Sequence, residues 1–524
     1  MKALTVIIAV LMTASLPPAS PATGFEEAVL ALTGASCMED LDETTLERFR
    51  LLEAHPIDLN SCGRGRLLSC GLFNAFQVAS LLEYRRQGGD ILSFTELSLV
   101  DGFTPEIVEA LRMFAVIEPS GRPPGQGYGR PHHSLMLRGA VKEEEEKDLN
   151  TAWGVKYKYS LGEKAEFNWG TRTTYSDGKL TPGTVSAAYY GRKHLDKIVL
   201  GHFAARFGQG LAQWSGFSMS PYSGVACLSR SGTGFSATSS MSPDLFGAAA
   251  DFSAGRWTAG FGYSFKGRLP IAHATYTART FTAGVTATSK AASVDWRIGI
   301  PDASIYGELA WKNGFQGICG LMWVPRYGCK TAAVIRYVNG VPEAIAGIGT
   351  PALNAVAAWS PEQVRLMAKY SPELSAGIFN VTPSLRLAAR RSDSWRLEGR
   401  GELKLETHGW ALRSRLDIVR CDGVSWLVNT EAGREEGKLR VWLRWTLFKV
   451  ENWADRIYVY ERDAPGNFNV PAYHGKGWGL AAYAAFKPSR RHSLYLRLAY
   501  KEYPWMSEPK PSRAEVKLQY QLSL

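Results

Sequence analysis

The sequence predicts an α + β multidomain chain in which a small all-α domain precedes a large antiparallel transmembrane β-barrel of about 22 to 26 strands. Three observations carry this. Apolar residues recur every three or four positions up to Glu118, and every second position from Pro131 to the end. The two regimes are separated by the stretch from Ser120 to Pro131, too rich in Gly and Pro for periodic structure. No apolar run after the first 22 residues reaches membrane-helix length, although 45% of residues are hydrophobic, so any crossing must use strands.

Residues 1–22 carry Lys2, an apolar run from Ala3 to Leu16 and a small, Pro-rich end, the layout of a secretory signal peptide. Residues 25–55 are expected to form an N-terminal helical segment and 56–118 a compact helical domain. Residues 119–131 form a Pro/Gly linker with a reach of roughly 20 Å, and 132–524 the barrel. Val78, Leu81 and Leu82, and later Ile107, Val108 and Leu111, share helical faces. Ser93 and Glu96 have capping-box spacing, and Thr104-Pro105 has the form of a cap followed by proline in the first turn.

Beyond Pro131, Trp153, Val155, Tyr157, Tyr159 and Leu161 alternate with Gly154, Lys156, Lys158 and Ser160. Leu439, Val441, Leu443, Trp445 and Leu447 alternate with Arg440, Trp442, Arg444, Thr446 and Phe448, and the chain ends with Val516, Leu518, Tyr520, Leu522 and Leu524 on one face. Strands apolar on one side and polar on the other suit lipid outside and a polar lumen, and lipid requires closure because it cannot satisfy an open edge. The expected location is the cell outer membrane, with outer-membrane lipid and the barrel-assembly machinery as partners and the N-terminal domain in the periplasm. Leu524 stands where the assembly signal usually has an aromatic residue. On this reading Leu443→Arg is costly, whereas Arg444→Leu on the lumen side is tolerated.

Residues His55 to Ile117 resemble the tandem helix-hairpin-helix domain of competence-type (ComEA-like) DNA receptors. The resemblance rests on the start Ile57 to Asn60, a first hairpin Leu67 to Phe73, a helix ending Leu81 to Arg85, the link Gly89 to Ile91 and a second hairpin Leu99 to Thr104. The full layout is also similar to a group of exported proteins with this domain before a long barrel and a segment like Arg206 to Phe217. The resemblance implies DNA binding through hairpin turns of Gly-x-Gly form, whose amides approach phosphate. Here Gly71 and Gly102 remain, while Phe73 and Thr104 stand at the second-glycine positions. Arg64, Arg66, Arg85 and Arg86 are the candidate basic patch, yet residues 56–118 hold 5 Arg, no Lys and 8 acidic residues. Phosphate binding favours positive charge, so the favoured function is a non-enzymatic barrel whose helical domain docks a protein partner or its own barrel; DNA handling is the alternative.

Charge divides the chain. Residues 25–118 carry 7 basic and 16 acidic residues, a net of −9, against +19 for the barrel and linker. Arg396, Glu398, Arg400, Glu402, Lys404 and Glu406, continued by Arg413, Arg415 and Asp417, read as lumen-lining: they either pair across strands, favour anions or bind an acidic plug, for which the N-terminal domain is a candidate. The Gly-rich stretch from Gly208 to Gly232 reads as an inward loop or a surface loop. Lys142 to Lys147 reads as a solvated turn. Dispersed histidines, including His132-His133, and seven scattered cysteines suggest no metal site. No nucleophile elbow or catalytic triad stands out, and no cofactor is expected.

Overall fold

The computed structural model describes residues 24–120, 131–144, 149–175, 178–191, 193–300, 302–324, 328–506 and 510–524. The signal-peptide region, most of the linker and the carboxylates around 145–146 fall outside them.

Among the described residues six α-helices precede the barrel strands: α1 (Phe25–Thr33), α2 (Glu43–Ala54), α3 (Arg64–Ser69), α4 (Ala75–Gly88), α5 (Phe94–Leu97) and α6 (Pro105–Leu111). Their starts follow local chemistry. Asp42 accepts the amides of Thr44 and Thr45 before α2, and Asn74 and Gln77 form a reciprocal box before α4. Ser93 caps α5 through the Glu96 amide at 3.1 Å, but the returning Glu96 carboxylate accepts from the Leu92 amide at 2.7 Å. Thr104 caps α6 with Pro105 in its first turn. Buried Asn60 donates to the carbonyls of Ile91 and Glu118, both at 2.9 Å, and so ties the start of the domain to its middle link and its exit. Around this clamp a core forms from Phe49, Leu59, Leu67, Leu81, Leu97, Leu111 and Phe114.

Twenty-four strands then form a closed antiparallel barrel, from Pro131–Glu144 to Arg513–Ser523. Each pairs with its sequence neighbour, and the first and last pair along Ser134–Glu144 and Arg513–Ser523. The Leu524 amide and the His133 carbonyl, with their reciprocal pair, extend that seam at 2.8 Å. Two short strands, Gly234–Ala237 and Leu374–Ala376, only extend ladders already present.

The period-two faces appear as wall and lumen, because successive side chains of a strand point to opposite sides. Trp153, Leu443, Trp445 and Leu518 are exposed outward, whereas Lys156, Trp442, Arg444 and Gln519 are buried inward. Exposed aromatics crowd the strand ends at both rims: Trp257, Phe281, Trp323, Tyr370 and Trp410 at the rim of Pro131, and Trp311, Phe315, Trp359 and Trp395 at the other. Two aromatic girdles around an apolar band are the signature of a barrel surrounded by lipid.

Candidate functional site

The two longest connections, residues 207–244 and 451–474, leave the rim opposite Pro131 and fold inward. Tyr222 of the first lies over by the wall, where Arg336 donates to its hydroxyl at 3.1 Å and the Arg365 guanidinium stacks 4.2 Å from its ring centre. The Glu308 carboxylate accepts the amides of Gln209 (2.7 Å), Leu211 (3.1 Å) and Ala212 (3.3 Å). Gly208 and Gly210 adopt positive φ there, which lets the backbone curl around the carboxylate. The Gly-rich segment is therefore an inward loop. In the second connection, Tyr460 accepts from Arg444 through its carbonyl at 2.7 Å, and Asp463 meets Lys517 at 2.8 Å.

From the other rim, the first half of the helical domain enters the same lumen. Its acidic residues meet basic wall positions. Glu26 pairs with Arg413 at 2.7 Å and Arg462 at 3.1 Å, and Glu27 pairs with Lys404. Glu39 bridges Arg400 at 3.3 Å and Arg415, and accepts the Tyr460 amide at 3.2 Å. On another arc of the wall Glu47 lies between Lys156 (2.8 Å) and Lys158 (2.7 Å). Lys369 donates to the Ser36 carbonyl at 2.7 Å. Contact at the tip is close: a Cβ on Gly34 would come within 2.4 Å of the Ala226 methyl, and Met219, Tyr460 and Phe468 of the two inward loops pack on the domain's core. The domain and both loops meet inside the section of the barrel they share, with cavities of about 450 and 900 Å³ left between them and the wall.

The electrostatics follow the pairing. Burial alone would raise the Glu47 carboxyl, but Lys158 and Lys156 outweigh it and hold the group at about 2. Burial likewise opposes ionisation of Glu26 and Glu39, yet Arg413 and Arg462 for the first, and Arg400 and Arg415 for the second, keep both well below the usual carboxylate range. Burial pushes the Cys37 thiol beside them up to about 12.

All nine ladder residues of the sequence analysis face inward, Asp417 bonding Arg400 at 2.8 Å and the other eight falling in two sets. Lys404, Arg413, Arg400 and Arg415 contact the helical domain. Arg396 bonds Glu398 at 2.6 Å and the Arg456 carbonyl at 2.9 Å, Glu402 meets Arg413 at 3.1 Å, and Glu406 meets Lys404 at 2.8 Å. Sequence reasoning did not single out Glu26, Glu27, Glu39 or Glu47. The only signal for them was the acidic bias of the domain against the basic body.

Of the residues proposed for nucleic acid, Arg64, Arg85 and Arg86 line one cleft, while Gly71, Gly102 and Arg66 lie outside it. A Cβ on Gly71 would run into the Arg48 guanidinium at 2.4 Å, and Gly102 backs onto Phe76 and Gln77 at 3.1 Å, so neither turn offers an open amide cradle. Arg66 is held by Glu163 (3.2 Å) and Glu166 (2.8 Å), and Arg85 donates to the carbonyls of Asn60 and Cys62. Arg64 lies 4.0 Å from Asp196, and Arg86 is exposed but paired with Glu83 at 2.6 Å. His132 packs against His55 with the rings inclined at 48° and His133 bonds Tyr157, and no cluster of metal-ligating side chains occurs among the described residues.

No family model matches the chain, and no curated protein matches it. Solved structures similar to it include the outer membrane protein OpdK from Pseudomonas aeruginosa, at 10% identity over 75% of this chain and 99% of that one, with a TM-score of 0.33. OccK3 (OpdO) from the same organism follows at 13% identity, 75% and 95% coverage and a TM-score of 0.31, and OccAB4 from Acinetobacter baumannii at 6%, 77%, 100% and 0.30. At such values the likeness assigns neither substrate nor activity, and the barrel rests on its own strand pairing.

Proposed function

We propose that this chain is a non-enzymatic outer-membrane channel held shut by its own N-terminal domain, which enters from the periplasmic side as an acidic plug in a basic lumen. One observation carries the reading: carboxylates of the first two helices and the turn between them serve as counter-ions to cations on two separate arcs of the barrel wall. Buried charges are tolerated only when paired, so the closed arrangement neutralises two surfaces that would each be unfavourable alone. The apolar band and its two aromatic girdles support the membrane setting. Among the helical domain's alternatives, docking to its own barrel is favoured over a separate protein partner by these contacts, and DNA is disfavoured by the occupied turn glycines and paired arginines.

The test is conductance in planar lipid bilayers. The full chain is expected to be nearly silent, and a chain lacking residues 24–118 to open steadily. Equal conductance from both would refute the plug, and recovery as a detergent-independent soluble protein would refute the membrane reading.

A further inference from the structure

A second cavity lies outside the plugged section, where α4 faces the barrel rim across a cleft of about 1320 Å³. One edge is cationic: Arg64 and Arg86 come from the domain, and Lys193, Arg256 and Arg279 from the turns of the rim. Glu83, Asp101 and Asp196 are its acids, leaving cations in excess. Arg86 is paired, but Lys193 and Arg279 make no hydrogen bond or ion pair among the described residues. At the back, Arg64 Nε and Asp196 Oδ2 are buried, 4.0 Å apart, and neither has a hydrogen-bond partner. Buried polar atoms are rarely left so without a ligand or water to meet them.

The other edge is apolar, built from Phe76, Leu82, Val100 and Leu99. Leu99 is 78% exposed and is, with Leu92, one of two large apolar side chains that the described part of the domain leaves exposed. The position of the cleft supplies the third element. On the outside of the same turn Trp257 and Tyr276 pack with ring centres 5.0 Å apart in the girdle, and Arg256 donates to the Tyr276 hydroxyl at 3.3 Å. Girdle aromatics sit at headgroup depth, so the cationic edge adjoins the phosphates of one leaflet.

We propose that this cleft binds a phospholipid of the periplasm-facing leaflet, its phosphate on Lys193, Arg256 and Arg279 and an acyl chain along Leu99 and Leu82. A nucleic acid could use the cations but would leave the apolar edge unmatched. The bound lipid spans domain and rim, and so adds a contact that holds the plug in place. The inference rests on the membrane reading above, whose failure would show separately as solubility without detergent.

The test titrates the delipidated full chain in detergent with phosphatidylglycerol and counts retained lipid by native mass spectrometry, with inorganic phosphate and a short DNA duplex as competitors. Wild type is expected to retain one lipid more tightly than the annular background. The variant Lys193→Ala/Arg256→Ala/Arg279→Ala, which alters only exposed turns, should bind it on the order of 100-fold more weakly. Leu99→Asp should weaken it while leaving competition by phosphate negligible. Unchanged retention in the triple variant overturns the site. Displacement by inorganic phosphate, or by the duplex, would assign the cleft to a soluble anion or to DNA and equally overturn the lipid proposal.

Discussion

Lys404 and Arg413 stand directly opposite each other on neighbouring strands, two like charges in register inside the barrel. Such a pair repels, and each is met by a carboxylate of the first helix, Glu27 for Lys404 and Glu26 for Arg413. Arg386 and Arg400 repeat the pattern one pair of strands along, with Glu39 on Arg400. The wall offsets part of this repulsion with its own Glu402, Glu406 and Asp417, and the domain it holds supplies the further counter-ions.

Neutralising the plug should loosen it. Glu26→Gln together with Glu39→Gln leaves buried Arg413 and Arg415 with fewer counter-charges, and removing one partner of a buried pair costs about 3 to 5 kcal/mol. Channel openings should rise in the double variant and fall again when Arg413→Gln and Arg415→Gln are added. If the four-fold variant opens as often as the double one, the ion pairs are not what holds the domain.

Acid should have the same effect, with a definite sign. The Glu47 carboxyl sits at about 2 when docked against the ordinary 4.5, and Glu26 and Glu39 are depressed as well. Groups with lowered values stabilise the docked state fully above the ordinary value and lose that contribution as pH falls through the docked one. Protease sensitivity of the helical domain should therefore be flat from neutral pH down to about 5 and climb below it. Glu47→Gln should blunt the climb, and a climb on the alkaline side would contradict the assignment.

Leu443→Arg places a charge on an exposed lipid-facing position and should cost about 2 to 4 kcal/mol near mid-bilayer. Arg444→Leu, expected from the sequence to be tolerated, should also be costly. Arg444 is buried, bonded to Glu431 and to the Tyr460 carbonyl, so its loss unpairs a carboxylate and frees an inward loop. Refolding titrations in detergent micelles compare the two, and a silent Arg444→Leu would mean the lumen there is wet.

Glu308→Gln should release the other inward loop. The carboxylate accepts three amides, and charge-assisted bonds are each worth about 1.5 to 3 kcal/mol. Gly208→Ala should do likewise, since its Cβ would meet Glu308 at 2.8 Å in a left-handed backbone. Cleavage between Gly208 and Ser242 by protease added from outside reports it; equal resistance in wild type and both variants would remove the latch.

What was legible in the sequence and what was not divides along the range of the interactions. Strand period, helix caps, the break at Pro131 and the inward face of Arg396 to Glu406 are local: side chains alternate across a strand and caps bond within three residues, so a short window contains the cause. The aromatic girdles were also present in the sequence, as at Trp311 and Phe315 around the turn Lys312 to Gly314, and went unread because a girdle has meaning only once strand ends are aligned at a rim. Charge asymmetry pointed to an acidic plug without choosing its contacts. Only the tertiary structure could choose them, because Glu26 and Arg413 are 387 residues apart and no local rule specifies which of 50 cations in a closed barrel a carboxylate will meet. The same holds for Gly71: the sequence displays a turn glycine suited to phosphate, and the fold fills its open side with Arg48. Composition and periodicity determined an acidic helical head and a closed basic barrel; closure of the ring of strands decided that the one would sit inside the other, since it alone brings strands far apart in sequence within reach of a single small domain.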